Sequence, residues 1–316
     1  ECCVHNLYCE YTNPFIMSTD VPIKSPIVDD LSKMQVALHL PCSRCGYELR
    51  ELAAGGDCPE CGEPIRLTII DVVDPASKRL APIQNPKAVG NSISSVVFFF
   101  FIAVLFAVIA IVSTAPSALP IPAFFHLIPA SSCVWLSCLA GLIAICSLVP
   151  MMQLCRQSVM AGCKAGLVLT IIGLCLWIIS MVLIATLLLP NYTQHTAAKM
   201  LLDTGLPVLA SGLVFSGFRR LVPRLGQRSR AFRQAQGSRQ RMNDLIAALS
   251  VVIVGRTLLA VSTPDSNLSL LGLIILVMSL SLILIGLGYL LRNTIWIRNA
   301  LVSPPPAIPD LLKPMP

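Results

Sequence analysis

The sequence predicts an all-α polytopic membrane protein with about six transmembrane helices and a small N-terminal β-hairpin ribbon. Of the 316 residues, 55% are hydrophobic and only 12% are charged. The mean hydropathy is +0.77, far from the composition of soluble proteins, in which about a quarter of residues are charged. Charge-free apolar runs long enough to span a bilayer recur along the chain. Ahead of them, four cysteines form a CxxC–x12–CxxC pattern, which predicts the ribbon.

The first 32 residues are expected to form a disordered leader. The opening sixteen, ECCVHNLYCEYTNPFI, differ in composition from the rest of the chain, and a start at Met17 would give an ordinary polar N-terminus. Two explanations of residues 1–16 stay open, an extension of the gene model or a disordered leader. No basic segment followed by a short apolar run and a cleavage site is present, so no signal peptide is expected.

Residues 33–73 are predicted to form a metal-binding domain. Each CxxC lets two sulfurs of one tight turn reach the same ion, and thiolates are ligands that zinc prefers. Gly46 and Gly62 follow the second cysteine of each pair and permit the turn backbone. Apolar runs at 36–40 and 67–73 suit strands. The predicted zinc ligands are Cys42, Cys45, Cys58 and Cys61.

Four thiolates close the coordination shell of zinc, whereas a catalytic zinc keeps one position for water. We therefore expect a structural Zn²⁺. An apparent zinc binding energy of roughly 10–16 kcal/mol exceeds what so small a head gains from its own apolar side chains. Removal of the metal is expected to unfold the head.

The strings CSRCGYELR and CPECGEPI resemble the zinc ribbons that precede membrane spans in many uncharacterised bacterial proteins, notably of the planctomycete type. Those proteins share a CxxCGYxLR…CPECG pattern. The resemblance covers about 25 residues and implies a zinc ribbon without implying an activity. The same cysteines also resemble those of rubredoxin, which hold a redox iron, although rubredoxin separates its knuckles by a much longer, aromatic-rich segment. Iron is kept as the alternative metal.

Residues 74–91 are predicted to be a stiff, basic, proline-containing linker, and residues 92–298 a six-helix transmembrane domain. Residues 299–316 are proline-rich and are expected to form a disordered tail. Small residues at Gly166, Gly212 and Gly286 are expected to let helices pack closely. The predicted spans are about 92–114, 130–152, 165–189, 200–218, 245–262 and 268–291.

Basic residues predict the orientation. Residues 1–91 hold 8 Lys and Arg against 12 Asp and Glu, whereas residues 92–316 hold 15 against 4. If the head is cytoplasmic, Arg156, Lys164, Arg292 and Arg298 all fall on the cytoplasmic side, and the opposite loops are nearly uncharged. The sequence therefore predicts the inner, cytoplasmic membrane, with both termini cytoplasmic.

One cation lies inside a predicted span. Arg256 is seven residues from the outer end of the fifth span, roughly 10 Å deep at the helical rise. Intramembrane charges are costly, so Arg256 is expected to pair with Asp203, near the outer end of the fourth span.

Residues 219–241 carry eight arginines and no acidic residue. Each basic residue near an anionic leaflet contributes about 1 kcal/mol, which predicts contact with anionic lipids. Nucleic-acid binding is disfavoured, because the segment has one aromatic residue and the head is acidic. The predicted lipid contacts are Arg219, Arg220, Arg224, Arg228, Arg230, Arg233, Arg239 and Arg241.

No catalytic motif is present: HExxH, GxSxG and the Walker loop are all absent from the sequence. The leading hypothesis is a non-enzymatic interaction or regulatory module, a zinc ribbon that binds a cytoplasmic protein at the membrane face. The alternatives are a small-solute transporter or channel component with a ribbon as its accessory head, and a rubredoxin-like iron redox head.

Overall fold

The structure is a computed structural model, and its elements are labelled in chain order. The described residues are 31, 33–74, 80, 82–113, 129–152, 161–188, 201–235, 240–262, 266–306 and 308–315. The elements are β1 (Met34–Val36), α1 (Ile65–Val73), α2 (Pro86–Ser113), α3 (Ala130–Cys146), α4 (Ala161–Leu183), α5 (Leu206–Gly226), α6 (Arg230–Gln234), α7 (Met242–Val261), α8 (Asn267–Val302), α9 (Ile308–Leu311) and β2 (Leu312–Pro314). Apart from Leu31, the predicted leader lies outside the described residues.

Six of these helices are long and apolar enough to cross a membrane, which confirms the predicted fold class. They lie at Pro86–Ser113, Ala130–Met152, Cys163–Thr186, Asp203–Gly226, Met242–Val261 and Asn267–Val302. Three of them extend well past the predicted spans, because Lys, Arg and polar residues at a membrane surface are compatible with helix. The last six residues of the predicted linker are likewise helical, since Pro86 occupies the favoured first position of α2.

The spanning helices form a closed ring. Each packs on the next in sequence, in the order α2, α3, α4, α5, α7, α8, and α8 packs back on α2. Phe100 of α2 lies in the interior, with Trp177 and Phe215 edge-on to it at ring-centroid distances of 5.6 and 5.9 Å. The Trp177 indole donates to Ser137 Oγ at 3.2 Å, so the interior is closely packed at this level.

Close helix contact in the ring depends on Gly217. A Cβ at this position of α5 would meet Thr170 Oγ1 and would lie 2.7 Å from the Gly166 carbonyl oxygen of α4. Gly166 packs as expected, whereas a Cβ on Gly212 would meet only one side-chain atom, at 3.9 Å. The close approach of α4 and α5 therefore depends on Gly166 and Gly217 and not on Gly212.

The second compact unit is the head, whose described residues are 31, 33–73, 306 and 308–315. Its two-stranded antiparallel sheet pairs β1 with β2, with Gln35 opposite Lys313. The prediction of a disordered tail at 299–316 is wrong, because α8 continues to Val302 and residues 308–314 fold into the head. Six spans return the chain to the side on which it started, as the pairing of β1 with β2 requires.

The strand expected at 67–73 is also wrong. This run is part of α1, and its buried residues are Ile65, Thr68, Ile69 and Val73. That spacing follows the helical period. The β-branched composition of the run suggested a strand, but packing of one face against the head core determines its conformation.

Candidate metal centre

The two CxxC segments form turns of matching geometry. In each turn, the residue before the first cysteine bridges the residue three positions after the second, so that Pro41 pairs with Glu48 and Asp57 pairs with Pro64. The equivalent pairing means that two copies of one small hairpin present the four thiols. The sulfurs therefore converge from two similar, independent turns.

The glycine after each second cysteine has the backbone conformation that the turn demands. Gly46 has φ 78° and Gly62 has φ 70°, a region that glycine adopts without steric cost. The Gly46 amide donates to the Cys42 carbonyl at 2.9 Å, and the Gly62 amide donates to the Cys58 carbonyl at 2.9 Å. The glycines thus close the turns that aim the sulfurs inward.

The four predicted sulfurs lie together. Cys42 Sγ is 3.7 Å from Cys61 Sγ, Cys45 Sγ is 3.6 Å from Cys58 Sγ, and all four lie within 4.8 Å of one another. A tetrahedral ion with Zn–S bonds of about 2.3 Å sets its sulfurs about 3.8 Å apart, whereas a disulfide needs about 2.05 Å. The cluster can hold a metal ion.

Backbone amides prepare the first turn for a metal. Hydrogen bonds from the amides of Cys45 and Arg44 lower the pKa of Cys42 to about 6. The amide of Glu63 lowers the pKa of Cys61, but burial and the neighbouring thiols outweigh it and raise that pKa to about 12. Crowded thiols therefore resist ionisation together, and a cation that replaces their protons relieves the repulsion.

Two side chains outside the ligand set support the turns. Thr68 of α1 accepts the Ser43 amide at 3.2 Å and exchanges a second hydrogen bond with the Ser43 hydroxyl at 3.2 Å. The Glu48 carboxylate accepts the Leu40 and Arg50 amides, each at 3.0 Å. These amide bonds, that of Leu40 foremost, lower the pKa of Glu48. Sequence reasoning missed both Thr68 and Glu48, since neither is a ligand.

The head also has a small apolar core that the tail completes. Val36, Leu49 and Ile65 are buried in it, together with Leu311 and Leu312 from the C-terminal segment. The Ala37 amide donates to the Leu311 carbonyl at 2.7 Å. The sequence signal for this packing is the Leu-Leu pair after a proline-rich stretch. The surrounding prolines made the whole segment resemble a disordered tail.

The predicted ion pair between Asp203 and Arg256 is also in contact. Arg256 Nη2 bonds to Asp203 Oδ2, and Arg256 Nε donates to Thr204 Oγ1 at 3.0 Å. The Thr204 hydroxyl in turn donates to Asp203 Oδ1 at 2.7 Å. Asp203 and Thr204 lie in a π-helical turn, Leu201–Gly205, that leads into α5. The charge in the membrane is thus neutralised by a three-residue network, of which sequence reasoning found two members.

The arginine-rich segment is more ordered than a loop. Arg219, Arg220 and Arg224 lie on the end of α5, and these three, with Arg241, are exposed. Their charges are available to an anionic surface. Arg239 lies outside the described residues.

Two other arginines of the segment differ from the prediction. Arg233 pairs with Asp74, which is almost buried, and with the Gln227 carbonyl. Arg228 is half-buried, and desolvation lowers its pKa. The number of arginines in the segment predicted that both contact lipid. In the structure, however, the Arg233 guanidinium bonds to a carboxylate and a carbonyl of the protein. Arg230 is half-exposed on α6.

No protein-family profile, no curated protein and no solved structure matches this chain. Its function is therefore inferred from its residues and their geometry.

Proposed function

We propose that this chain is a membrane-anchored zinc-ribbon protein whose head is a non-enzymatic interaction or regulatory module at the cytoplasmic face of the inner membrane. The observation that carries the proposal is the double role of α1. One face of this helix supports the metal turn through Thr68, while Leu67 and Ile70, three residues apart on another face, are 42% and 52% exposed. This exposed apolar pair, on a helix that contacts the metal turn, supports the docking of a protein partner.

Zinc is the metal that best fits the cluster. Four thiolates in a small closed shell leave no position for water, which favours a structural ion over a catalytic one. Iron accepts the same tetrahedral sulfur set, so elemental analysis of the purified chain decides between them. We expect one zinc per chain and a colourless protein. A red protein with stoichiometric iron would overturn the zinc assignment in favour of redox work.

Orientation rests on the basic residues at the ends of the spans. We expect a topology reporter inserted at Gly237 to be active only on the cytoplasmic side. A periplasmic signal from that position would invert the head and exclude a cytoplasmic partner.

Transport is the competing function, and the packed interior argues against it. Phe100, Trp177, Phe215 and Phe218 meet at one level of the ring and are buried there. A path for a solute would have to displace this cluster. The test compares the solute permeability of vesicles reconstituted with the parent chain or with the Phe100→Ala variant. Equal permeability would support the interaction module over a transporter.

The docking surface is tested by photo-cross-linking in cells. A cross-linking amino acid at Leu67 should capture one discrete protein, and the capture should disappear when Cys45→Ser removes a metal ligand. The matched control carries the cross-linker at Lys313, an exposed residue of β2 in the same head. Equal capture from both positions, or capture indifferent to Cys45→Ser, would contradict the proposal.

A further inference from the structure

A groove lies between the first and last spanning helices, where α2 begins and α8 ends. Its volume is about 510 Å³, and its walls include Asn91, Ser94 and Ser95 of α2 with Arg298 of α8. The helices meet closely beside it, because a Cβ on Gly90 would lie 3.3 Å from the Arg298 backbone. That approach sets the position of the Arg298 backbone beside the groove.

The groove presents hydrogen-bond donors that the described part of the chain leaves unused. Arg298 Nε donates to Asn91 Oδ1 at 2.7 Å, and within the described residues its two Nη groups and the hydroxyls of Ser94 and Ser95 have no hydrogen-bond partner. Some other helix serines of the described bundle bond to a carbonyl, as Ser137 does to Ala103 at 2.8 Å. The donors beside Arg298 are thus available to a ligand.

The charge at the groove mouth is positive. Neither α2 nor α8 contains an Asp or Glu residue, whereas Lys87 adds a further cation near the start of α2. Donor groups around an unneutralised guanidinium select an anion, and a guanidinium fork matches the oxygens of a phosphate.

The lower wall is apolar, and Phe98 on it lies within the predicted first span. Phe98, Leu291 and Ile295 line it, and Phe98 lies seven residues, about 10 Å at the helical rise, below Asn91. Phe98 is 43% exposed and Ile295 is 39% exposed. Asn91 adjoins the start of the first charge-free run, so the groove passes from the head-group layer into the acyl layer.

From this arrangement we infer that the groove between α2 and α8 is a binding site for an anionic glycerophospholipid. Its phosphate lies at Arg298, Ser94 and Ser95, and an acyl chain covers Phe98 and Ile295. A free phosphate would meet the donors but leave the apolar wall bare, so the site selects a lipid from the bilayer. Basic pockets between spanning helices recognise lipid head groups by this chemistry.

The test measures retention of phosphatidylglycerol by the full chain in detergent, using native mass spectrometry and titration of the lipid. Arg298→Gln and the double variant Ser94→Ala/Ser95→Ala should each weaken retention about tenfold, the loss of one charge-assisted contact set. The matched control is Arg292→Gln, which removes the same charge from α8 at a side chain that stacks on Trp296 at 4.8 Å. That variant should change retention less than about twofold.

Three outcomes would overturn the inference. Arg298→Gln and the serine double variant could both retain phosphatidylglycerol as tightly as Arg292→Gln does. Phosphatidylcholine could bind as tightly as phosphatidylglycerol, which would show that the anionic charge is not recognised. Inorganic phosphate could displace the lipid at equal concentration, which would show an anion site without lipid selection. If Arg298→Gln fails to fold, the serine double variant decides alone.

Discussion

Leu311→Ala should weaken zinc binding by the head although the residue lies 250 positions after the last cysteine ligand. Leu311 is 2% exposed in the head core, and truncating a buried leucine costs about 2–5 kcal/mol. The core is small, so we take the lower limit of about 2 kcal/mol. Because metal binding and folding of such a head are coupled, that loss appears as a roughly 30-fold weaker zinc affinity.

The assay titrates the zinc-loaded full chain in detergent with a chelating dye and compares the release midpoints. Ile308→Ala is the matched control, since it removes a similar side chain from the same segment at a position that is 49% exposed. It should move the midpoint less than about threefold. Coincident midpoints for the two variants would refute the view that the tail completes the metal-binding head.

Three further predictions concern the bundle and the head. Gly217→Ala should lower the melting temperature of the detergent-solubilised chain by roughly 2–12 °C relative to Gly288→Ala, the value for about 1–3 kcal/mol of overpacking; a Cβ on Gly288 meets nothing within 4 Å, and equal melting of the two variants would contradict the close contact. Asp203→Asn and Arg256→Gln should each destabilise the chain by about 1–3 kcal/mol, and the double variant should destabilise it by less than the sum of the two. Additive losses of stability, measured by thermal melting, would show that the two side chains are not coupled. The lowered pKa of the Glu48 carboxyl contributes stability that is present above its unfolded value of 4.5 and is lost as pH falls below that value. Amide exchange of segment 36–52 should therefore be faster in Glu48→Gln than in the parent chain from pH 7 to about pH 5. A difference in exchange rate between the two chains that widens at lower pH would contradict this prediction.

The metal site and the number of spans could be predicted from the sequence because their signals are local. Cys42 and Cys45 share one turn, and the required glycine at position 46 is adjacent to them. A run of about 20 apolar residues is likewise a complete signal for a spanning helix, since the bilayer sets its length. Neither inference needs knowledge of distant parts of the chain.

The remaining features depend on contacts between distant segments. From the sequence alone, Leu311 and Leu312 resemble two exposed residues of a proline-rich tail. They are buried only because β2 pairs with β1, and no local pattern links them to Val36. The run from 67 to 73 contains strand-forming residues, but the metal turn that Thr68 supports favours a helix there. Arg233 is one cation among many in the sequence, and only the folded chain brings it to Asp74.

The antiparallel pairing of β1 with β2 has a consequence for the order of synthesis. β1 leaves the ribosome before the first span, and β2 leaves it after the sixth. A nascent chain therefore carries all four thiols long before it can bury Leu312 in the head core, and we expect its head to be more accessible to chelators and proteases until then. Closure of the head marks a chain whose six spans have all been made, so a product truncated within α8 would be distinguishable by its poorly retained metal.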